Sequence, residues 1–194
     1  STGMATLDEV RAAMTAIRSA AAVHVTLLQC TSLYPAPPEY ANLMAMETMR
    51  REFGVPVGYS DHSRGPVLTY AAVALGAVAV EKHFTLDRAL PGPDHAASST
   101  PDELSELVAG IRAIEAARGD GEKRPCAAEL KVARVVRRSV IVTRDIAESE
   151  ILAIDALGTA RPGTGIPAES LHDIVGRRAS RALPAGSVLQ WDDL

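Results

Sequence analysis

The sequence has few of the residues that carry disulfide, thiolate-metal or aromatic chemistry. Its 194 residues include two cysteines, Cys30 and Cys126, which form neither a zinc-ligand spacing nor a disulfide framework. Only 4% of the residues are aromatic, whereas 47% are hydrophobic, so we expect an aliphatic, alanine-rich core. A chain without cysteine pairs fits a reducing compartment, and we therefore expect a cytoplasmic protein.

The charge and hydropathy of the chain argue against two further classes of partner. The formal net charge is −4, which gives no electrostatic reason to expect nucleic acid or an anionic membrane surface as a partner. No apolar run approaches the roughly 20 residues that a helix needs to cross a bilayer. The length suffices for one large domain or two small ones.

What the sequence does contain is a strand–helix–strand pattern over residues 56–95. Two apolar runs, Pro56–Tyr59 and Ala77–Val80, each end in a polar cluster, and an alanine-rich segment of helical character separates them. A helical crossover of this kind joins parallel strands. The carboxyl ends of such strands share one edge of the sheet, where ligands collect. The pattern therefore places His62 and His83 side by side.

Two neutral imidazoles at one sheet edge are the beginning of a divalent-metal site. A single histidine at a strand end is more often a hydrogen-bonded structural residue, and spacing alone leaves both interpretations open. Asp94 and His95 follow in a Gly-Pro-Asp-His loop and add further groups that can bind a metal.

Helices and strands alternate through the first part of the chain. Capping boxes at residues 6–9 and 100–103 begin two helices, and Val23–Cys30 is a continuous apolar run typical of a strand buried on both faces. The predicted order is helix, strand, helix, strand, helix, strand, helix, which favours a parallel α/β sheet. We interpret it as the second half of a (β/α)₈ barrel, a fold of about 250 residues. A doubly wound open sheet is the alternative that periodicity leaves open.

The composition changes after residue 118. Residues 119–131 have the composition of a linker, and residues 132–194 are predicted to form a small, mostly β domain. Val132–Thr143 is rich in β-branched residues, which are typical of strands, and Arg177–Leu183 is a further strand candidate. The predicted organisation is therefore a half-barrel, a linker and a β domain.

Five motifs in this order, CTSLYP, GYSDH, EKHFTLDR, GPDH and RPGTGI, make the chain resemble the sialic acid synthase family. The resemblance runs across nearly the whole chain. It implies the C-terminal half of a TIM-barrel synthase domain followed by the antifreeze-like (SAF, β-clip) domain that closes these enzymes. It also implies a transferase that condenses phosphoenolpyruvate with an N-acetylated amino sugar of the N-acetylmannosamine type, giving a sialic (nonulosonic) acid and phosphate.

The resemblance further implies roles for particular residues. His62 and His83 match the family's metal ligands, which usually bind manganese, with magnesium or cobalt as other options, and Asp94 matches an active-site acid. We expect these three to be the catalytic residues. Five further positions match substrate contacts of the family. The serines Ser1, Ser32 and Ser60 match contacts to phosphate or carboxylate, and Tyr34 and Arg161 match contacts to the sugar. In the family the arginine reaches the sugar's N-acyl group across a domain-swapped homodimer.

The beginning of the chain carries an expectation of its own. The opening Ser1-Thr2-Gly3-Met4 matches a family motif that follows a strand near the middle of the protein. We therefore expect a C-terminal part of a longer enzyme that is inactive alone, because the family's phosphoenolpyruvate-binding lysines and a catalytic glutamate belong to the first half-barrel.

The sequence leaves three alternatives to this function open. The first is a legionaminic acid synthase-type enzyme that uses a diacetamido sugar. The second is a non-catalytic, truncated protein that binds a metal or a sugar. The third is a carbohydrate- or ice-binding module built on the tail domain, whose few threonines form no regular array.

Overall fold

A computed structural model describes residues 1–194 and divides into two compact units, residues 1–122 and 123–194. The boundary falls inside the segment that the composition marks as a linker. The first unit consists, in chain order, of α1 (Leu7–Ala20), β1 (Leu27–Cys30), α2 (Ala45–Phe53), β2 (Val57–Asp61), α3 (Val67–Ala74), β3 (Val80–Lys82) and α4 (Pro101–Arg118). This order confirms the predicted alternation of helices and strands.

The three strands form one parallel sheet in the order β1-β2-β3. Ser60 of β2 pairs with Cys30 of β1 on one side and with Glu81 of β3 on the other, and Asp61 pairs with Lys82. Because side chains alternate along a strand, this register decides which residues share a face and which residues meet at the carboxyl edge.

The helices cover one face of this sheet. Its apolar core consists of Val10, Met14, Leu27, Met46, Met49, Phe53, Val57, Tyr59 and Ala72. The prediction that Val23–Cys30 is buried on both faces is wrong: Val23 is 57% exposed, and the strand begins only at Leu27. A continuous apolar run does not distinguish a strand covered on both faces from one covered on a single face.

The helix ends follow local chemistry. Thr6 with Glu9 and Thr100 with Glu103 form the two predicted capping boxes. Gly54 ends α2 in the left-handed region, with φ at 62°, where a residue without Cβ is favoured.

The second unit contains α5 (Ala127–Val136), β4 (Ser139–Val142), β5 (Leu157–Ala160) and a short α6 (Leu171–Ile174). The strands β4 and β5 pair antiparallel, and isolated bridges join Ile146 to Leu183 and Ile151 to Arg178. Its separate core consists of Val140, Val142, Ile146, Leu152, Ala156, Leu157, Ile166, Ile174, Ala179, Leu183 and Leu189.

Two predictions for this unit need correction. Only residues 139–142 of Val132–Thr143 form a strand, because α5 extends to Val136 and also occupies the end of the predicted linker. Good helix formers such as Ala127, Ala128 and Leu130 carry the helix into the β-branched stretch. Arg177–Leu183 contributes bridges rather than a strand. No helix of the structure has the length and hydropathy of a membrane span.

Candidate functional site

Two histidines and a tyrosine meet at the carboxyl edge of the sheet. His62 follows the last residue of β2 and His83 follows the last residue of β3, and their ring centroids lie 5.1 Å apart. The ring of Tyr34, from the loop after β1, lies 4.2 Å from the ring of His62 and 5.4 Å from that of His83. The parallel topology thus brings the two histidines side by side, as the sequence predicts.

A backbone carbonyl determines which nitrogen of His62 is free. The Nδ1 atom of His62 lies 2.9 Å from the carbonyl oxygen of Thr31, and the Sγ atom of Cys30 lies 3.7 Å from the same nitrogen. A carbonyl oxygen only accepts hydrogen bonds, so Nδ1 carries the proton and donates it. The lone pair of a neutral His62 is then on Nε2, which is the arrangement typical of metal-binding histidines.

Asp94 lies near the second histidine without bonding to it. Its Oδ2 atom is 3.8 Å from Nδ1 of His83, and its side chain is 56% exposed. The neighbouring His95 turns to a different partner, with its Nδ1 atom 2.8 Å from the hydroxyl of Thr85. The structure therefore places Asp94 near the histidine pair, whereas His95 contacts Thr85 instead.

The donor set at this edge fits a divalent ion in part. No group of three or more histidine, cysteine, aspartate and glutamate side chains comes together as a metal site, so the chain offers two imidazoles, with Asp94 outside bonding distance. Imidazole ligands suit several transition metals. His62 and His83 would be the residues of this chain that hold such an ion.

Ser60 is engaged by a carboxylate. Its buried hydroxyl donates a hydrogen bond of 2.7 Å to Oε1 of Glu81, its partner in the sheet register. A serine hydroxyl has a single proton to donate, so binding a phosphate there requires Glu81 to release it. The substrate-binding role of Ser60 stays a prediction.

The other two serines lie at the edge strand. The amide and hydroxyl of Thr2 both donate to the carbonyl of Leu28, at 2.9 and 2.8 Å, so the start of the chain runs along β1. Gly3 has φ at 44°, and a Cβ at that position would lie 2.9 Å from the hydroxyl of Ser32. The structure thus places Ser32 against the segment that begins with Ser1, whose own side chain is exposed.

Arg161 belongs to the second unit, in the loop after β5. Its Nε atom donates 2.9 Å to the carbonyl of Val136. The buried hydroxyl of Ser139 holds the same loop by donating to the carbonyl of Pro162 at 2.8 Å and accepting from the amide of Gly165 at 2.9 Å. The predicted contact of Arg161 with a sugar stays a prediction.

Sequence reasoning missed a buried ion pair next to the histidines. Nζ of Lys82 lies 2.9 Å from Oδ2 of Asp61, and the two side chains are 6% and 0% exposed. Burial raises the pKa of the nearby Tyr59 hydroxyl far above its ordinary value, and the charge of Asp61 adds to the effect. The motifs Ser-Asp-His and Glu-Lys-His place the two charged residues at equivalent positions, but only the strand register shows that they pair.

Comparison with known proteins gives matches over both units. The model described as the NeuB family matches residues 1–123, and the model described as the SAF domain matches residues 137–194. The N,N'-diacetyllegionaminic acid synthase of Legionella pneumophila is 44% identical over 198 residues, which is 100% of this chain and 56% of that protein. Human N-acetylneuraminate-9-phosphate synthase is 40% identical over 154 residues, which is 78% of this chain and 43% of that protein.

Solved structures give the same picture. The spore coat polysaccharide biosynthesis protein SpsE of Bacillus subtilis aligns with a TM-score of 0.56 and 35% identity, over 97% of this chain and 58% of that one. The N-acetylneuraminic acid synthetase of Leptospira borgpetersenii serovar Hardjo-bovis, in complex with citrate, aligns with a TM-score of 0.61 and 38% identity, over 67% of this chain and 45% of that one. The chain spans a little over half the length of the relatives that it matches in full, such as the 56% of the Legionella synthase.

Proposed function

Because this chain belongs to the NeuB family, we propose that it forms part of a phosphoenolpyruvate-dependent synthase of nonulosonic acids. Its relatives include legionaminic acid, pseudaminic acid and N-acetylneuraminate-9-phosphate synthases, which confirms the resemblance to sialic acid synthases. In the proposed reaction, C3 of phosphoenolpyruvate bonds to the aldehyde carbon of an open-chain N-acylated amino sugar. Water adds at C2, and phosphate leaves with cleavage of the C–O bond.

One observation carries the proposal: the pair His62 and His83 beneath the ring of Tyr34 at the carboxyl edge of parallel strands. The carbonyl of Thr31 orients His62 and leaves its Nε2 atom free. This is the edge at which parallel α/β folds bind ligands. The site therefore has a fixed nitrogen donor where a substrate would arrive.

The proposed metal is a divalent ion, with Mn²⁺ preferred and Mg²⁺ or Co²⁺ as alternatives, held by His62 and His83. When bound, such an ion polarises a carbonyl oxygen and stabilises the negative charge that develops on it. The chain's own residues orient this site: Thr31 fixes one imidazole, and Tyr34 packs on both rings. Asp94, 3.8 Å from His83, is the proposed acid of the site.

For the architecture we propose the second half of a (β/α)₈ barrel followed by an antifreeze-like domain. The apolar core lies between the three-stranded sheet and the helices, and the opposite face, which carries Ser60 and Glu81, would line the interior of a closed barrel. On this proposal the remaining strands come from the part of the relatives that this chain does not span. Ser1, Ser32 and Ser60 are the proposed phosphate and carboxylate contacts.

The proposed sugar is an N-acetylated amino sugar of the N-acetylmannosamine type. A diacetamido sugar, as in legionaminic acid synthesis, is the second candidate. It is favoured by the identity of 44% to the legionaminic acid synthases of both Legionella pneumophila and Campylobacter jejuni. Arg161 is the proposed contact of the N-acyl group, supplied within a homodimer as the resemblance implies.

Calorimetric titration of the 194-residue chain with Mn²⁺ tests the site. We expect saturable binding that the double variant His62→Ala/His83→Ala abolishes. The matched control is His24→Ala/His172→Ala, which removes two exposed histidines and should leave the binding unchanged. Equal binding by both double variants would place the metal elsewhere and contradict the proposed site.

Phosphate release tests the reaction. The complete gene product that contains this chain is mixed with phosphoenolpyruvate and either N-acetylmannosamine or a diacetamido sugar. We expect release that depends on the sugar and is lost in the His62→Ala/His83→Ala variant. Absence of release with both sugars would contradict the synthase and favour the non-catalytic alternative.

A further inference from the structure

The carboxylate of Asp61 is the centre of a closed polar network. It accepts from the amide of Ser63 at 2.8 Å, from the hydroxyl of Ser63 at 2.6 Å, from the hydroxyl of Thr69 at 2.7 Å and from Nζ of Lys82 at 2.9 Å. Lys82 also donates to the carbonyl of Ser63 at 2.8 Å. No buried polar side-chain atom of the structure lacks a hydrogen-bond partner, so each polar side chain in this network has at least one.

The network lies on the helix face of the sheet, opposite to the histidines. Thr69 belongs to α3, so its bond to Asp61 shows that this carboxylate points toward the helices. His62 and His83 come directly after the ends of β2 and β3. Nδ1 of His62 lies 3.7 Å from Sγ of Cys30, whose register partner is Ser60, and Ser60 faces away from Asp61 because side chains alternate along the strand. The ion pair thus occupies the last residue pair of the sheet register, and the two histidines come directly after it in the chain.

Stability of the fold alone does not explain why the charges of Asp61 and Lys82 are buried. Burying two charges carries a desolvation penalty that their attraction often only offsets, and apolar pairs of similar volume serve stability as well or better. The ion pair also fixes the geometry of the strand ends. It ties β2, β3 and the turn at Ser63 together at the last rung of the sheet register, directly before the histidines.

We propose that Asp61 and Lys82 are positioning residues that hold His62 and His83 in their mutual geometry. They touch neither a ligand nor a reacting atom, and they act through the strand ends that carry the two imidazoles. The inference rests on the proposed function for its metal, and on the geometry alone for its effect on the rings.

The central variant is Asp61→Leu/Lys82→Met, which replaces the ion pair by apolar side chains of similar length. We expect the helix content and the thermal midpoint to stay close to those of the original chain. We expect Mn²⁺ affinity to fall about tenfold, the lower end of what partners behind a metal ligand contribute. The matched control is Lys131→Met on the exposed side of α5, which should leave both quantities unchanged.

A second measurement needs no metal. Nitrogen NMR of the imidazole rings reports which nitrogen of His62 carries the proton. We expect a single Nδ1–H tautomer in the original chain and a mixture of tautomers in the double variant. If the original chain fails to bind Mn²⁺, the metal site of the proposed function fails, while the NMR comparison still decides the positioning role.

Two results would overturn the inference. One is a folded double variant with the original Mn²⁺ affinity, and the other is a folded double variant with unchanged imidazole signals. If the double variant does not fold, Asp61→Asn/Lys82→Met decides, because it keeps a polar partner for Ser63 and Thr69 at position 61 and removes the ion pair. We expect it to shift the signals of His62 while the thermal midpoint stays close to that of the original chain, and unchanged signals would again overturn the inference.

Discussion

At the scale of single residues, the site depends on groups that have no reactive chemistry of their own. The carbonyl of Thr31 decides which nitrogen of His62 is free, and the glycine at position 58 lets two strands and a side chain approach closely. A Cβ at Gly58 would lie 2.4 Å from the carbonyl oxygen of Ala79 and 2.6 Å from a methyl group of Leu28. Small and backbone groups thus set the spacing of the strands that carry the site.

We therefore predict that Gly58→Ala destabilises the first unit. The new methyl group overlaps a backbone oxygen that belongs to the sheet, and such overpacking costs about 1–3 kcal/mol. The measurement is the free energy of unfolding from urea denaturation. Gly176→Ala is the comparison, because nothing lies within 4 Å of that position although its φ is 88°. It should cost about 1 kcal/mol of backbone strain, and an equal or smaller loss in Gly58→Ala would contradict the prediction.

At the scale of helices and strands, local signals account for most of the fold. The capping boxes and the alternation of apolar runs predicted α1, α4 and the parallel order of β1, β2 and β3. In α4, the carboxylate of Glu103 accepts from the amide of Thr100 at 2.9 Å and pairs with Arg88. Both bonds lower the pKa of Glu103 below its ordinary value, and the hydrogen bond from the Thr100 amide has the larger effect.

This pKa shift predicts a pH dependence of stability. A carboxylate whose pKa is lower in the folded chain contributes stability above its unfolded pKa, about 4.3 for glutamate, and loses that stability as the pH falls through the folded pKa. The difference in unfolding free energy between the original chain and Glu103→Gln should therefore shrink between pH 6 and pH 3, which brackets the ordinary glutamate pKa of about 4.3. Thermal unfolding across this range measures it. Glu106→Gln, one turn on, is the control, and a constant difference for Glu103→Gln would disprove the role of its charge.

The same local sequence signals did not predict the side-chain contacts inside the site. The edge that brings His62 and His83 together follows from topology, which the pattern of helices and strands supplies. The bond between Ser60 and Glu81 and the ion pair beside it depend on the register of β2 against β3 to a single residue, which periodicity does not give. The helix α5 was missed for another reason. Its β-branched residues favour a strand on propensity, but helix formers precede them and decide the local structure.

At the scale of the whole molecule, the chain consists of two units with separate cores. The core of residues 123–194 contains eleven buried residues drawn from that unit alone. A unit with its own hydrophobic core is in principle able to fold independently. The first unit differs, because its sheet has only three strands and its two outer strands, β1 and β3, each pair on one side only.

We therefore predict that residues 123–194 fold as an isolated fragment. The expected result is a cooperative thermal transition, followed by circular dichroism, and dispersed amide signals in the NMR spectrum. The fragment 1–122 is the comparison, and we expect it to be less cooperative and more prone to associate through the edge strands of its sheet. A non-cooperative fragment 123–194 would show that its core needs the first unit.

The ion pair at the ends of β2 and β3, with a histidine directly after each strand, also limits which changes of length the chain tolerates. Between Asp61 and Lys82, a residue added in the loop before α3 leaves both strands in phase. A residue added within β2 shifts everything after it to the opposite face. The imidazole would then turn toward the helices and the aspartate toward the open side of the sheet. A single insertion of this kind would bury an imidazole and leave Lys82 without its ionic partner, so changes of length in this region are tolerated in its loops and not in its strands.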